Sequence, residues 1–147
     1  MNAFVTAGAG FLLAVLWFDL MFDVQAAGHE AVPEAALASI TAYYARVTTG
    51  ARPMNRLIAA VMAATLAAIV VEIAYGSEPA WLGWVSLALA LAAIGLAGAR
   101  TVPAAVRLGT RGDPPPVQSE LARMVLAQHV FCFGAIAAVI GLQLIAG

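Results

Sequence analysis

Residues 57–99 read LIAAVMAATLAAIVVEIAYG-SEPA-WLGWVSLALALAAIGLAGA. Each of the two apolar runs is about as long as the ~20 residues a helix needs to cross ~30 Å of hydrocarbon. Ser77-Glu78-Pro79-Ala80 between them makes a tight turn, so the two helices are antiparallel neighbours. This transmembrane hairpin decides the fold class, because a comparable run lies on either side of it. The four spans cover roughly Ala3–Phe22, Leu57–Gly76, Trp81–Ala99 and Met124–Ile145. The expected fold is an all-α integral membrane protein, a four-transmembrane-helix bundle forming a single domain over residues 1–147.

Composition requires the bilayer. Of 147 residues, 63% are hydrophobic and 10% charged, with a mean hydropathy of +0.93. A soluble domain carries roughly 25% charged residues and could not hide so much apolar surface. The net charge is −1 and no basic cluster suits a nucleic acid. Cys132 is the single cysteine, which excludes an intrachain disulfide or a cysteine-based metal cage. The first 27 residues lack a positive n-region and carry Asp19 and Asp23 near their end, so they read as a retained span rather than a cleaved leader.

The seven cationic residues are all arginine. Arg46, Arg52 and Arg56 lie in the first connection, and Arg100, Arg107, Arg111 and Arg123 lie in or beside the third. Four spans put those connections on one side, and the other side carries Glu78. The positive-inside rule then places both long connections in the cytoplasm and both termini outside. The expected location is a cell membrane crossed several times, the bacterial inner membrane. Tyr75, Trp81 and Trp84 mark the outer boundary, and Tyr43 and Tyr44 suit the inner one.

In the first connection Leu37, Ile40, Tyr44 and Val47 recur at helical spacing after Pro33 and Glu34, which predicts a short amphipathic helix in the interface. Gly50 and Pro53 end it. In the third connection Pro114-Pro115-Pro116 predicts a stiff extended segment, with Ser119 capping span four. Small residues support close helix approach: Ala60, Ala64 and Ala68 on span two, Ser86, Ala90, Ala93 and Ala97 on span three, and Ala127, Gly134, Ala138 and Gly141 on span four. On span four, His129 and Cys132 occupy the face opposite Gly134, and the spacing leaves open which face meets lipid or a second subunit.

Ionisable groups within a span are expensive and count as site candidates. Span one ends in Trp17-Phe18-Asp19-Leu20-Met21-Phe22-Asp23, which puts two carboxylates one turn apart on the stripe of Gly8, Leu12 and Val15, with Trp17 towards lipid. At ~1.5 Å per residue, Gln128 and His129 lie at about the level of Asp19, while Asn55, Arg56 and Arg100 lie at the boundary with Asp23. Asp19, His129 and Asp23 are therefore the catalytic candidates, as a carboxylate and an imidazole at one depth suit proton transfer. Asp19 ranks first because it lies deeper. Asp23, within reach of water, has the plainer reading of an anchor paired to Arg46, Arg52, Arg56 or Arg100. Ligand-binding candidates are Arg46, Tyr44, Asn55, Arg56, Arg100 and Gln128, which could grip an anionic headgroup, and Glu72 in the outer half.

His29, the other histidine, lies in a loop. A bis-His haem between spans is thus disfavoured, no zinc or di-iron pattern is present, and no cofactor is identified. The pattern supports three readings. The first is a protein that binds or transforms a lipid-like or quinone-like amphiphile at the cytoplasmic end. The second is a proton-coupled transporter or channel acting as a homo-oligomer, with Asp19 and Glu72 at two depths. The third is an accessory subunit of a larger membrane complex. Concentration of the polar residues at one end favours the first.

Overall fold

A computed structural model of the chain describes residues 2–76 and 79–146. The hairpin turn assigned to Ser77 and Glu78 falls outside the described residues. Helix α1 (Asn2–Asp23) is followed by one 3₁₀ turn (Val24–Ala26) and a loop containing Gly28, whose φ of 73° suits a residue without Cβ. Helix α2 (Glu34–Tyr44) widens into a π turn (Ala45–Gly50). Then come α3 (Arg52–Ala74) and α4 (Ala80–Leu96), a second π turn (Ala97–Thr101), α5 (Val102–Thr110) and α6 (Pro115–Ala146). Four stretches, Ala3–Ala26, Arg52–Ala74, Ala80–Thr110 and Pro115–Ile145, are long and apolar enough to cross a membrane. The chain is a polytopic helical membrane protein.

The four long helices form a ring. Helix α1 packs on α3 and α6, and α4 packs on the same two, so α1 and α4 lie diagonally opposite. Inside the ring Leu12, Ile69, Ala90, Ala93, Ile136 and Val139 make one core. A second core closes the arginine-bearing end, where α2, α5 and the first turns of α6 bring together Leu37, Ile40, Tyr44, Ala105, Leu108 and Val125. Trp17 and Phe18, each 60% exposed, point outward, as do Trp81 and Trp84 beside the hairpin turn. Exposed apolar surface of this extent is stable only against lipid.

Several connections differ from the sequence reading. The helix between spans one and two is present, but its apolar face is turned into protein, with Leu37, Ile40 and Tyr44 at most 2% exposed. Residues 100–110 are helical rather than an open connection. Arg111, with a left-handed φ of 54°, ends α5. The triple proline is not extended: Pro115 and Pro116 open α6, where the missing N–H groups would have had no intrahelical partner. Ser119 is no cap. It lies buried within α6, and its hydroxyl accepts the Val32 N–H at 3.0 Å, pinning the loop before α2 to the start of span four. The short link between α5 and α6 is held by Arg107, which donates twice to Asp113 at 2.7 Å. That guanidinium holds the Asp113 carboxyl below the usual carboxylate range. Arg111 pairs with Glu34 at the start of α2.

The faces also resolve. On α6, His129 and Cys132 point inward, whereas Ala127, Gly134, Ala138 and Gly141 are exposed. The Cys132 thiol donates to the Ala93 carbonyl at 3.5 Å, so the small residues of α4 meet α6 on this side. On α3 the inward positions are Thr65, Ile69 and Glu72, and Ala60 and Ala64 turn outward. Gly8 faces Thr65 so closely that a Cβ there would collide with the hydroxyl, which fixes the register of α1 against α3.

Candidate functional site

The two carboxylates of α1 share one face because they are four residues apart. Helix α2 folds back beneath them with two adjacent tyrosines, which point about 100° apart around the helix axis. Each tyrosine therefore reaches a different acid. The Tyr43 hydroxyl donates to Asp19 Oδ1 at 2.7 Å, and the Tyr44 hydroxyl donates to Asp23 Oδ1 at 2.5 Å. Helix α6 inserts His129 between them. Its Nδ1 lies 2.6 Å from Asp23 Oδ2 and 3.4 Å from the Tyr44 hydroxyl, and its Nε2 lies 3.7 Å from Asp19 Oδ2. Phe22 stacks on Tyr43 with ring centroids 4.0 Å apart, fixing the more open tyrosine.

Burial divides this network. Asp23, Tyr44 and His129 are enclosed, at 0%, 2% and 7% exposure, whereas the Asp19 side chain keeps 15%. The order is the reverse of that expected from depth. Asp23 lies nearer the end of the span, but α2 covers that end, and Asp19 is left at the edge. Neither acid is paired to Arg46, Arg52, Arg56 or Arg100 among the described residues; those arginines are exposed.

A carboxylate accepts hydrogen bonds. With Tyr44 already donating to Oδ1, the short contact at Oδ2 assigns the hydrogen to His129 Nδ1. In the neutral ring the lone pair then sits on Nε2, towards Asp19. An imidazole oriented through one nitrogen with the other directed at a second acid is suited to accept or pass on a proton.

Burial, and then the negative charge of Asp19, raises the Tyr43 phenol far above its ordinary value. Burial and Asp23 do the same for Tyr44. A phenol raised in the folded state contributes stability that is fully present below its unfolded value of about 10 and lost as pH rises above it. We expect the phenolate absorbance of these two tyrosines to appear together with loss of helical structure above about pH 10. The Tyr44→Phe variant should lose less stability between neutral and alkaline pH. Titration of both residues in protein that stays folded would contradict this.

The remaining candidates lie elsewhere. Gln128 Oε1 accepts from Thr101 at 2.9 Å and ties α6 to the π turn after α4. Asn55 donates to the Thr48 carbonyl at 2.8 Å, linking α3 to the other π turn. Arg46, Arg56 and Arg100 are exposed outside the network. Glu72 lies towards the opposite end of the bundle, 4% exposed, with Oε2 lacking a hydrogen-bond partner among the described residues. Gln143, 2% exposed, has an Oε1 without a hydrogen-bond partner among the described residues, and its amide lies 3.5 Å from the Ser86 hydroxyl.

A buried polar atom without a partner costs about 1–3 kcal/mol. Glu72→Met is therefore expected to raise unfolding stability in detergent by about 1 kcal/mol or more. A decrease would mean that the carboxyl has a partner in the folded protein.

Tyr43 gained its role through its neighbour rather than through any motif. The signal available was a pair of adjacent tyrosines opposite two acids at i and i+4. Among the described residues no group of three His, Cys, Asp or Glu side chains is placed to hold a metal ion. Comparison with known protein families, with characterised proteins and with solved structures returns no match for this chain.

Proposed function

We propose that the protein binds an amphiphile whose polar head meets Asp19 and His129 at the arginine-bearing end of the bundle, and that the network exchanges a proton with that head. The observation carrying this reading is the fixed imidazole: Asp23 holds Nδ1, and Nε2 faces Asp19, the least enclosed acid of the network. Tyr43 and Phe22 form the adjoining wall. A hydroxyl or phenol head could donate to Asp19 or to the Tyr43 oxygen, whose own hydrogen is held by Asp19, with its apolar part left in the bilayer. By the positive-inside rule this end is cytoplasmic, in a bacterial inner membrane.

Transport along the bundle has less support. Between His129 and the level of Glu72 the described interior is dominated by Leu12, Ile69, Ala90 and Ile136, and its Thr65 hydroxyl and Cys132 thiol are each bonded to a backbone carbonyl rather than linked to one another.

The test is native mass spectrometry of the full chain extracted from membranes. A bound lipid-like mass on the wild type, reduced in Asp19→Asn, supports the proposal. No such mass on either protein would overturn it.

A further inference from the structure

The network around Asp19 is short of positive charge. Asp19 and Asp23 carry two negative charges when ionised, and His129 offsets at most one of them. The other groups bonded to the acids are the hydroxyls of Tyr43 and Tyr44, which are neutral. Among the described residues no arginine forms an ion pair with either acid, and Arg107 and Arg111 pair with Asp113 and Glu34. An enclosed charge is stable only when it is paired.

The network is also short of hydrogens. Asp19 Oδ1 holds the Tyr43 hydrogen, Asp23 Oδ1 holds that of Tyr44, and Asp23 Oδ2 holds that of Nδ1. What remains at the Asp19 edge is Asp19 Oδ2, the lone pair of Nε2 and the Tyr43 oxygen, all of them acceptors. Oδ2 and Nε2 stand 3.7 Å apart, too far for a hydrogen bond, so a proton alone does not close the gap. One nitrogen ~2.9 Å from each would bridge it. The stacked rings of Tyr43 and Phe22 beside this edge present π-faces, which attract a cation. A water or an alcohol supplies hydrogens here but no charge, and a carboxylate or phosphate adds a third negative charge.

We infer that the head recognised at Asp19 is a primary ammonium, which brings one positive charge and three N–H donors to an edge that lacks both. The inference rests on the proposed head site and narrows its ligand: among heads with a hydrogen to give, the site takes the one that is also charged. The exposed arginines, outside the network, do not make it a site for anions. An aminophospholipid headgroup and a free long-chain amine carry the same chemistry.

The test reads the imidazole nitrogens of the full chain in maltoside micelles by NMR. The chain has two histidines, so the exposed His29 reports unspecific effects of each additive while His129 reports the site. The probes are octylammonium, octanol and octanoate, then phosphatidylethanolamine and phosphatidylcholine, whose quaternary head has no N–H. We expect octylammonium to move the His129 Nε2 signal saturably and to bind about tenfold more tightly than octanol, equivalent to ~1.4 kcal/mol, with no response to octanoate. A response to phosphatidylethanolamine and not to phosphatidylcholine supports the inference with a lipid headgroup as the source, and a response to octylammonium alone supports it with a free amine. Asp19→Asn should weaken octylammonium about tenfold, with an unchanged Nδ1 signal showing that the bond to Asp23 survives. Tyr43→Phe keeps the ring against Phe22 and should weaken it about threefold, the share of one neutral hydrogen bond. Octanol binding as tightly as octylammonium, or phosphatidylcholine acting like phosphatidylethanolamine, overturns the ammonium and keeps the head site. Octylammonium binding undiminished in both variants, or no response to any probe, overturns the head site as well.

Discussion

Asp23→Ala is expected to destabilise the protein by about 2–6 kcal/mol, because it leaves two buried hydrogen-bond donors unsatisfied at about 1–3 kcal/mol each. Asp23 is fully enclosed and is the shared acceptor for Tyr44 and His129, so its loss leaves two buried polar groups without their partner. Asp23→Asn should behave differently. The amide oxygen can still accept from Tyr44, and the amide nitrogen can donate to Nδ1 of the imidazole. That keeps most of the stability but moves the ring hydrogen to Nε2, removing the lone pair that faces Asp19. Thermal or denaturant unfolding in detergent reads the first effect, and imidazole nitrogen NMR reads the tautomer. A loss below about 1 kcal/mol for Asp23→Ala would mean that water, rather than Asp23, serves these groups.

This dependence on Asp23 marks the limit of what the sequence made legible. The four spans follow from length and hydropathy, and the polar cluster at one end follows from counting residues along antiparallel helices. What covers that end does not follow. Leu37, Ile40 and Tyr44 have the same spacing whether their face meets lipid or protein, since periodicity reports an apolar face and not its occupant. Only the packing of α2 against α5 and α6 makes Asp23 the enclosed acid and Asp19 the open one. The proline run was ambiguous for a related reason: an absent N–H fits an extended segment and the first turn of a helix equally well. On α6 both faces carry small or polar residues. The contact of Cys132 with Ala93 selects the inward one and brings His129 to Asp23.

Gly109 is where the two-layer end is most exposed to a single methyl group. A Cβ there would lie 2.8 Å from Ala45 N, 3.0 Å from Ala45 Cα and 3.0 Å from the Tyr44 carbonyl carbon. All three are backbone atoms, so no side chain can rotate away, and α5 must move off the end of α2. Gly109→Ala is expected to cost about 1–3 kcal/mol by overpacking, despite the better helix propensity of alanine, and Gly109→Leu more. Displacement at Tyr44 also loosens its hydrogen bond to Asp23, so its phenol should ionise at lower pH than in the wild type while the helices remain folded. Gly134→Ala and Gly141→Ala form the comparison. Among the described residues nothing lies within 4 Å of a Cβ at either position, so each should gain about 0.5–1 kcal/mol from reduced backbone entropy alone. Unfolding and phenolate titration of the three alanine variants separate a clamp from a spacer. If Gly109→Ala matched the α6 variants in both measurements, α5 would not be what presses Tyr44 onto Asp23.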